Sequence, residues 1–313
     1  MSVPKATKLR WFDRGAAAFE RTFPGRLAAQ FGEGCGPHYV CPLCDCAFER
    51  SAIQSGDLTA EHVPPACFGG RELLLTCRRC NSEAGSLLDS QARHKEDVLA
   101  VASRRATRKP LKVRIRRGPH TLNARLTIDG AGNHQLKVVG KANSPSIVEA
   151  FREAGPILTG ETLTVEFFGN RWAELGAKMS WFRSGFLALF AGPGGYAFSF
   201  DPAVQIVKRQ LASPTEALIP CFTTERQDDP GRSWSQWRVL AIGDPACTAV
   251  MFGRYVLFYP NRGDLTLYQR IADEIRRTGT RGMLTGRAYD LISWEPAFGY
   301  EIGSEPATLP HGG

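Results

Sequence analysis

Two Cys-x-x-Cys pairs, Cys41/Cys44 and Cys77/Cys80, constrain this chain more than any other feature. Thiolates at that spacing form half-sites for a tetrahedral ion, and two half-sites close one zinc centre. The interval from Cys44 to Cys77 is too long for a plain zinc ribbon and long enough for a β-hairpin. The metal is therefore expected to staple a hairpin and its flanks. Cys46 makes a Cys-Asp-Cys run with Cys44 and is an alternative ligand, but the two-residue spacer repeats at the second pair and favours Cys44. The chain has nine cysteines, an odd number. That pattern suits a reducing compartment with a bound metal better than a disulfide framework. Cys35, Cys67, Cys221 and Cys247 are expected as free thiols.

The polar residues between and after the pairs carry a second message. Glu61-His62 lies between them, and Asn81 directly follows Cys80. Phosphodiester hydrolysis needs a nucleophilic water, a base of near-neutral pKa and positive charge at the leaving oxygen. His62 suits the base, because neutral imidazole accepts a proton at physiological pH. Glu61 and Asn81 are hard oxygen donors suited to a magnesium-like ion that keeps several waters. Adjacent residues on a regular strand face opposite ways. Glu61 and His62 can share a site only if the strand ends or twists there, and Pro64-Pro65 just downstream favours such an end.

The run Cys-Pro-Leu-Cys, Thr-Ala-Glu-His-Val-Pro-Pro, Gly-Gly and Leu-Thr-Cys-Arg-Arg-Cys-Asn resembles the zinc-stapled HNH endonucleases of the ββα-metal class. The resemblance spans roughly residues 35–95 and carries no family for the remainder. It implies that His62 activates water, that Glu61 and Asn81 hold one catalytic Mg2+ or Mn2+, and that cleavage leaves a 5′-phosphate and a 3′-hydroxyl. In such nucleases a middle residue, often Asn, orients the base. Glu72 stands nearest that position, so either its carboxylate or a backbone carbonyl would hold the His62 N–H. The acid before the histidine is Glu rather than Asp, which lengthens the ligand arm. Arg78 and Arg79 lie within the second knuckle, between Cys77 and Cys80, and are expected DNA contacts. One site per chain cuts one strand per engagement, so a double-strand break requires a homodimer or two visits. Defence against foreign DNA is a natural context by analogy. The alternative is a non-catalytic zinc-containing nucleic-acid-binding protein in which Glu61 and Glu72 mark lost catalysis. The retained His62 and Asn81 argue against it.

The rest of the chain reads as α+β. Residues 1–34 are a helical lead-in, with Phe12, Ala16, Phe19 and Phe23 at helical spacing up to Pro24-Gly25. Residues 35–95 form the nuclease-like module, whose last helix buries Ala84, Leu87 and Leu88. Gly85 within that helix implies close approach of another backbone or a flexible spot. Residues 96–117 are a basic linker and first strand, 118–303 a larger α+β domain with antiparallel strands, and 304–313 a flexible tail. Leu122, Ala124, Leu126 and Ile128 alternate, as do Leu136 and Val138 beyond the 129–133 turn. Ser144-Pro145 opens a helix with Ile147, Val148 and Phe151 inside. Leu163, Val165 and Phe167 mark another strand. Trp172, Leu175, Met179, Phe182, Phe186 and Leu189 line one face of the strongest helix. The 225–236 loop is expected to be mobile.

Net charge is +8, which makes a polyanionic partner such as DNA plausible. Arg104, Arg105, Arg108, Lys109, Lys112, Arg114, Arg116 and Arg117 follow one another without an intervening acid. Lys112, Arg114 and Arg116 alternate with Val113 and Ile115, so one strand face is basic and the other buried. An edge strand protected by charge is the competing explanation, but beside a nuclease-like module a phosphate-tracking surface is favoured, with Lys112, Arg114 and Arg116 as expected nucleic-acid contacts. The N-terminus lacks a signal-peptide core, and the uncharged stretch at 184–200 is broken by Pro193, Gly194 and Gly195. No membrane association and a cytoplasmic location are expected.

Overall fold

The computed structural model describes residues 3–103, 106, 110–155, 164–167, 173–225, 237–243 and 246–278. Arg104, Arg105, Arg108, Lys109, Leu163 and Trp172 lie outside the described residues, as do nearly all of the 225–236 loop and the tail after 303. Two compact units share the chain, residues 1–89 with 178–313, and residues 90–177. The linear succession expected from sequence, with 118–303 as one domain, is replaced by a chain that leaves its first unit and returns. The reason lies in aromatic packing within that unit. Phe19 of the N-terminal helix meets Tyr196 edge-on with centroids 5.0 Å apart.

In the first unit, α1 (Lys5–Thr22) buries Trp11, Phe12, Ala16 and Phe19. Gly25, at φ 72°, breaks the chain before α2 (Arg26–Phe31). A two-residue hairpin of β1 (Tyr39–Val40) and β2 (Ala47–Phe48) carries the first knuckle at its turn. After α3 (Ala52–Ser55), β3 (Leu58–Val63) pairs antiparallel with β4 (Arg71–Cys77), and α4 (Arg78–Ala84) starts at the next residue. A π turn, Gly85–Asp89, follows. Its wider winding shifts the helical phase, so Leu88 is buried while Leu87 stands 55% exposed, against the expectation for Leu87. A Cβ on Gly85 would meet nothing within 4 Å, so close backbone approach does not explain this glycine.

The second unit holds α5 (Ser90–Ala102), β5 (Leu111–Arg117), β6 (His120–Ile128), β7 (His134–Val138), α6 (Pro145–Glu153) and β8 (Thr164–Phe167). Its antiparallel sheet runs β7-β6-β5-β8. Leu111, Val113, Ile115, Ala124 and Leu126 form the core, with Val101, Phe151 and Val165 packed against it. The Ser144 hydroxyl caps α6 by accepting from the Ile147 N–H, as the Ser-Pro signal implied. Ile147 itself is 42% exposed, and Leu136 and Val138 on the outer strand β7 are also exposed. Periodicity identified these elements correctly but overstated how much of each apolar face is covered.

The chain re-enters the first unit along α7 (Glu174–Leu189), followed by α8 (Gly195–Ser199) and α9 (Gln205–Ala212). Next come β9 (Thr223–Glu225), β10 (Trp237–Gly243), β11 (Ala246–Phe252), β12 (Tyr255–Tyr259) and α10 (Leu267–Thr278). The sheet order is β10-β11-β12-β9, and every residue of β12 is buried. Trp181 stacks on Tyr255 and Phe182 on Tyr259, each pair with centroids 5.0 Å apart. α7 is buried on every side from Met179 onward rather than along one stripe. Such a helix has room for polar groups only where they find partners. Among the described residues, no helix is long and apolar enough to cross a membrane.

Candidate functional site

The four paired thiols converge. The Sγ atoms of Cys41, Cys44, Cys77 and Cys80 all lie within 4.8 Å of one another. A tetrahedral ion with metal–sulfur bonds of about 2.3 Å separates its sulfurs by about 3.8 Å. The Cys44–Cys77 separation is 3.7 Å. Cys46 is exposed and turns its thiol to the Cys44 carbonyl, so the choice of Cys44 over Cys46 agrees with the geometry. None of the nine cysteines is in a disulfide. The local backbone supports the cluster, since the Cys41 Sγ accepts from the Cys77 N–H and the Cys77 Sγ from the Cys80 N–H. Burial pushes the Cys41 thiol up, while a hydrogen bond from Cys41 lowers Cys44 and brings Cys77 down to about 7. Such a cluster cannot ionise fully on its own charge, and a dication removes that conflict. The donor set fits one structural metal ion such as zinc.

The β3–β4 hairpin presents the remaining residues. The ladder pairs Glu61 with Leu74 but His62 with Glu72, so the register shifts between Glu61 and His62 and Leu73 is the extra residue. The extra residue belongs to β4, so the bulge bends the hairpin opposite Glu61 and His62, one step before the Pro64-Pro65 end of β3, without inserting a residue between them. His62 is half-buried and makes no hydrogen bond to another described residue. Glu72 lies opposite it, yet its carboxylate accepts from the Val3 N–H at 2.5 Å. Asn81 on α4 donates its amide to the Thr59 hydroxyl at 2.9 Å and the Ala60 carbonyl at 3.1 Å. That pins the helix across β3 and leaves the Asn81 Oδ1 as the free end of the amide. Beyond the strand, a Cβ on Gly70 would lie 1.5 Å from the Pro64 carbonyl oxygen. Gly70→Ala should therefore force the Pro64 turn apart and cost about 1–3 kcal/mol or more. Urea unfolding of the variant checks this, and an unchanged midpoint would contradict it.

Glu61 has a partner that sequence reasoning missed. Arg183 of α7 donates to its Oε1 at 3.1 Å and its Oε2 at 2.6 Å, and Thr76 donates to Oε2 at 2.9 Å. The two charged side chains are only 6% and 5% exposed. Arg183 also reaches the Cys80 carbonyl at 3.4 Å. Asp89, which accepts from the Ser180 hydroxyl at 2.7 Å, lies close enough to feel both charges. Burial raises the Asp89 pKa and Arg183 opposes that rise. Burial also works against the Arg183 charge, but Glu61 and then Asp89 outweigh it. The available signal was one arginine inside an otherwise uncharged run, 181–191. A carboxylate accepts about four hydrogen bonds, and Glu61 already accepts three from a cation and a hydroxyl. As arranged, Glu61 does not fit a catalytic dication unless Arg183 yields it.

The expected nucleic-acid contacts divide. Arg78 donates to the Gly56 carbonyl at 2.8 Å and the Ser55 carbonyl at 3.2 Å, so it secures a turn. Arg79 is exposed, and negative charge on Cys44 and then Cys80 raises its pKa. In the second unit, Lys112, Arg114 and Arg116 are all exposed on one face of β5, as alternation required. Arg117 points to the other face and donates to the Gly155 carbonyl at 2.6 Å. No protein-family model, curated protein or solved structure matches the chain.

Proposed function

We propose that residues 35–95 form an HNH-type phosphodiesterase module and that the protein is an endonuclease acting on DNA, its four thiolates stapled by zinc. One observation carries the reading. The hairpin of β3 and β4 runs straight into α4, and Asn81 ties that helix back to β3 beside a bulge at Glu61/His62. His62 is the general base. Its half-exposed ring, without a partner among the described residues, is available to take a proton from water. Asn81 Oδ1 is placed to orient a water or a hydrated ion. Arg183 keeps Glu61 fixed and compensates its charge. Magnesium or manganese would supply charge stabilisation at the scissile phosphate when bound. Defence against foreign DNA remains the proposed context.

Plasmid nicking by purified protein, with and without Mg2+ or Mn2+, tests this. His62→Ala should lower cleavage about 10²-fold or more while DNA affinity stays near wild type. Wild-type nicking by that variant would place the base elsewhere. Wild-type protein inert with every divalent ion would favour the non-catalytic zinc protein.

A further inference from the structure

We propose that the solvent face of the second unit's sheet is a binding surface for the backbone of duplex DNA, formed by cations from three adjacent strands. Cross-strand register places Lys112, Arg125 and Lys137 in one row across β5, β6 and β7. Arg114 and Arg116 continue the patch along β5, and all five side chains are exposed. The same registers put Glu166 beside Arg114, with a 3.9 Å contact, as the one acid on this face among the described residues. Lys112, Arg116, Arg125 and Lys137 make no ion pair with any described residue. Strand geometry sets the patch at about 10 Å across the row and about 13 Å along β5. Duplex DNA presents about eight phosphate charges over such a length.

The topology removes the competing explanation. Charge protects edge strands, but β5 and β6 are the two interior strands of the sheet. Their cations have no edge to guard. The opposite face of β5 and β6 carries the apolar core, so on these strands this face is the one left to solvent. Thr121, Gln135 and Thr164 stand on the same face and can donate to phosphate oxygens, while Asn123 and Thr127 already donate to the Ala142 and Gln135 carbonyls. No aromatic side chain stands on the face among the described residues. Single strands are gripped by base stacking on aromatics, so a duplex backbone fits better. This inference does not rest on the nuclease reading, because it concerns residues 90–177 alone.

The test uses the full chain in a His62→Ala background and two unrelated duplexes, with binding read by fluorescence anisotropy across a KCl series. Arg125→Ala/Lys137→Ala, two positions outside the basic run of β5, should weaken both duplexes by the same factor. It should also lower the salt slope by up to about two units, at roughly 0.9 per phosphate contact. Arg125→Lys/Lys137→Arg should restore both, with thermal unfolding confirming an intact fold. Unchanged affinity and slope in the alanine pair would overturn the proposal. Stronger competition by single-stranded DNA, duplex RNA or polyglutamate than by duplex DNA would overturn it too. Retained binding without nicking in wild-type protein would count against the nuclease reading only.

Discussion

Serine at Cys77 should cost the protein its zinc and the cooperative folding of the hairpin module. Cys77 has the most roles in the cluster. Its thiol lies 3.7 Å from that of Cys44, it accepts the Cys80 N–H at the start of α4, and its own N–H bonds Cys41 Sγ. Binding of structural zinc is worth about 10–16 kcal/mol in small zinc domains, and part of that is folding free energy. The knuckle hairpin offers little else, since β1 and β2 are two residues each. Tyr39 donates to the Leu75 carbonyl at 2.7 Å and packs near Phe12, and the returning chain adds three contacts. Tyr196 donates to the Val40 carbonyl at 2.7 Å, Ser199 to the Pro42 carbonyl at 3.2 Å, and Lys208 pairs with Asp45. Elemental analysis should return one zinc per chain, falling to near none in Cys77→Ser, with a lower urea midpoint. Cys46→Ser should keep both, because that thiol lies outside the cluster. Native protein without zinc, or a Cys77→Ser variant that unfolds like wild type, would refute the staple.

The parts of this architecture that rest on local chemistry were legible in the sequence. Thiol spacing selected the four cysteines that the structure brings together, and alternation selected the exposed cations of β5. Both are short-range signals, fixed by ligand geometry and by the pleat. The irregularity opposite Glu61 and His62 comes from one extra residue, Leu73, on the partner strand, which no pattern within β3 encodes. What sequence did not reveal depends on long-range pairing. Glu61 finds its cation 122 positions away, on a helix whose apolar neighbours suggested nothing but core. The π turn at Gly85–Asp89 shifts the phase of Leu87, and no periodicity rule anticipates one extra residue per turn. Lys112 joins Arg125 and Lys137 only through strand register, which charge runs along the chain do not encode.

Arg183→Met should destabilise the first unit by about 3–5 kcal/mol, because it leaves a buried carboxylate without its counter-charge. Glu61 is nearly inaccessible, so water cannot replace the two guanidinium hydrogen bonds, and the Thr76 hydroxyl alone cannot balance a full charge. Asp89 loses the same cation, and two neighbouring acids are then left facing each other. Glu61→Gln alone should cost less, since Arg183 retains Asp89. The double variant Arg183→Met/Glu61→Gln should recover much of the loss, because removing both charges also removes their desolvation penalty. Urea unfolding of the wild type, both single variants and the double variant measures the coupling directly. A coupling near zero would mean that Glu61 is not held by Arg183 in solution. The carboxylate would then be open to a divalent ion, and the metal assignment implied by the HNH resemblance would gain what the arginine now denies it. A coupling of several kcal/mol would instead make Glu61 a structural residue held by Arg183, and the proposed nuclease site would then rest on His62 and Asn81.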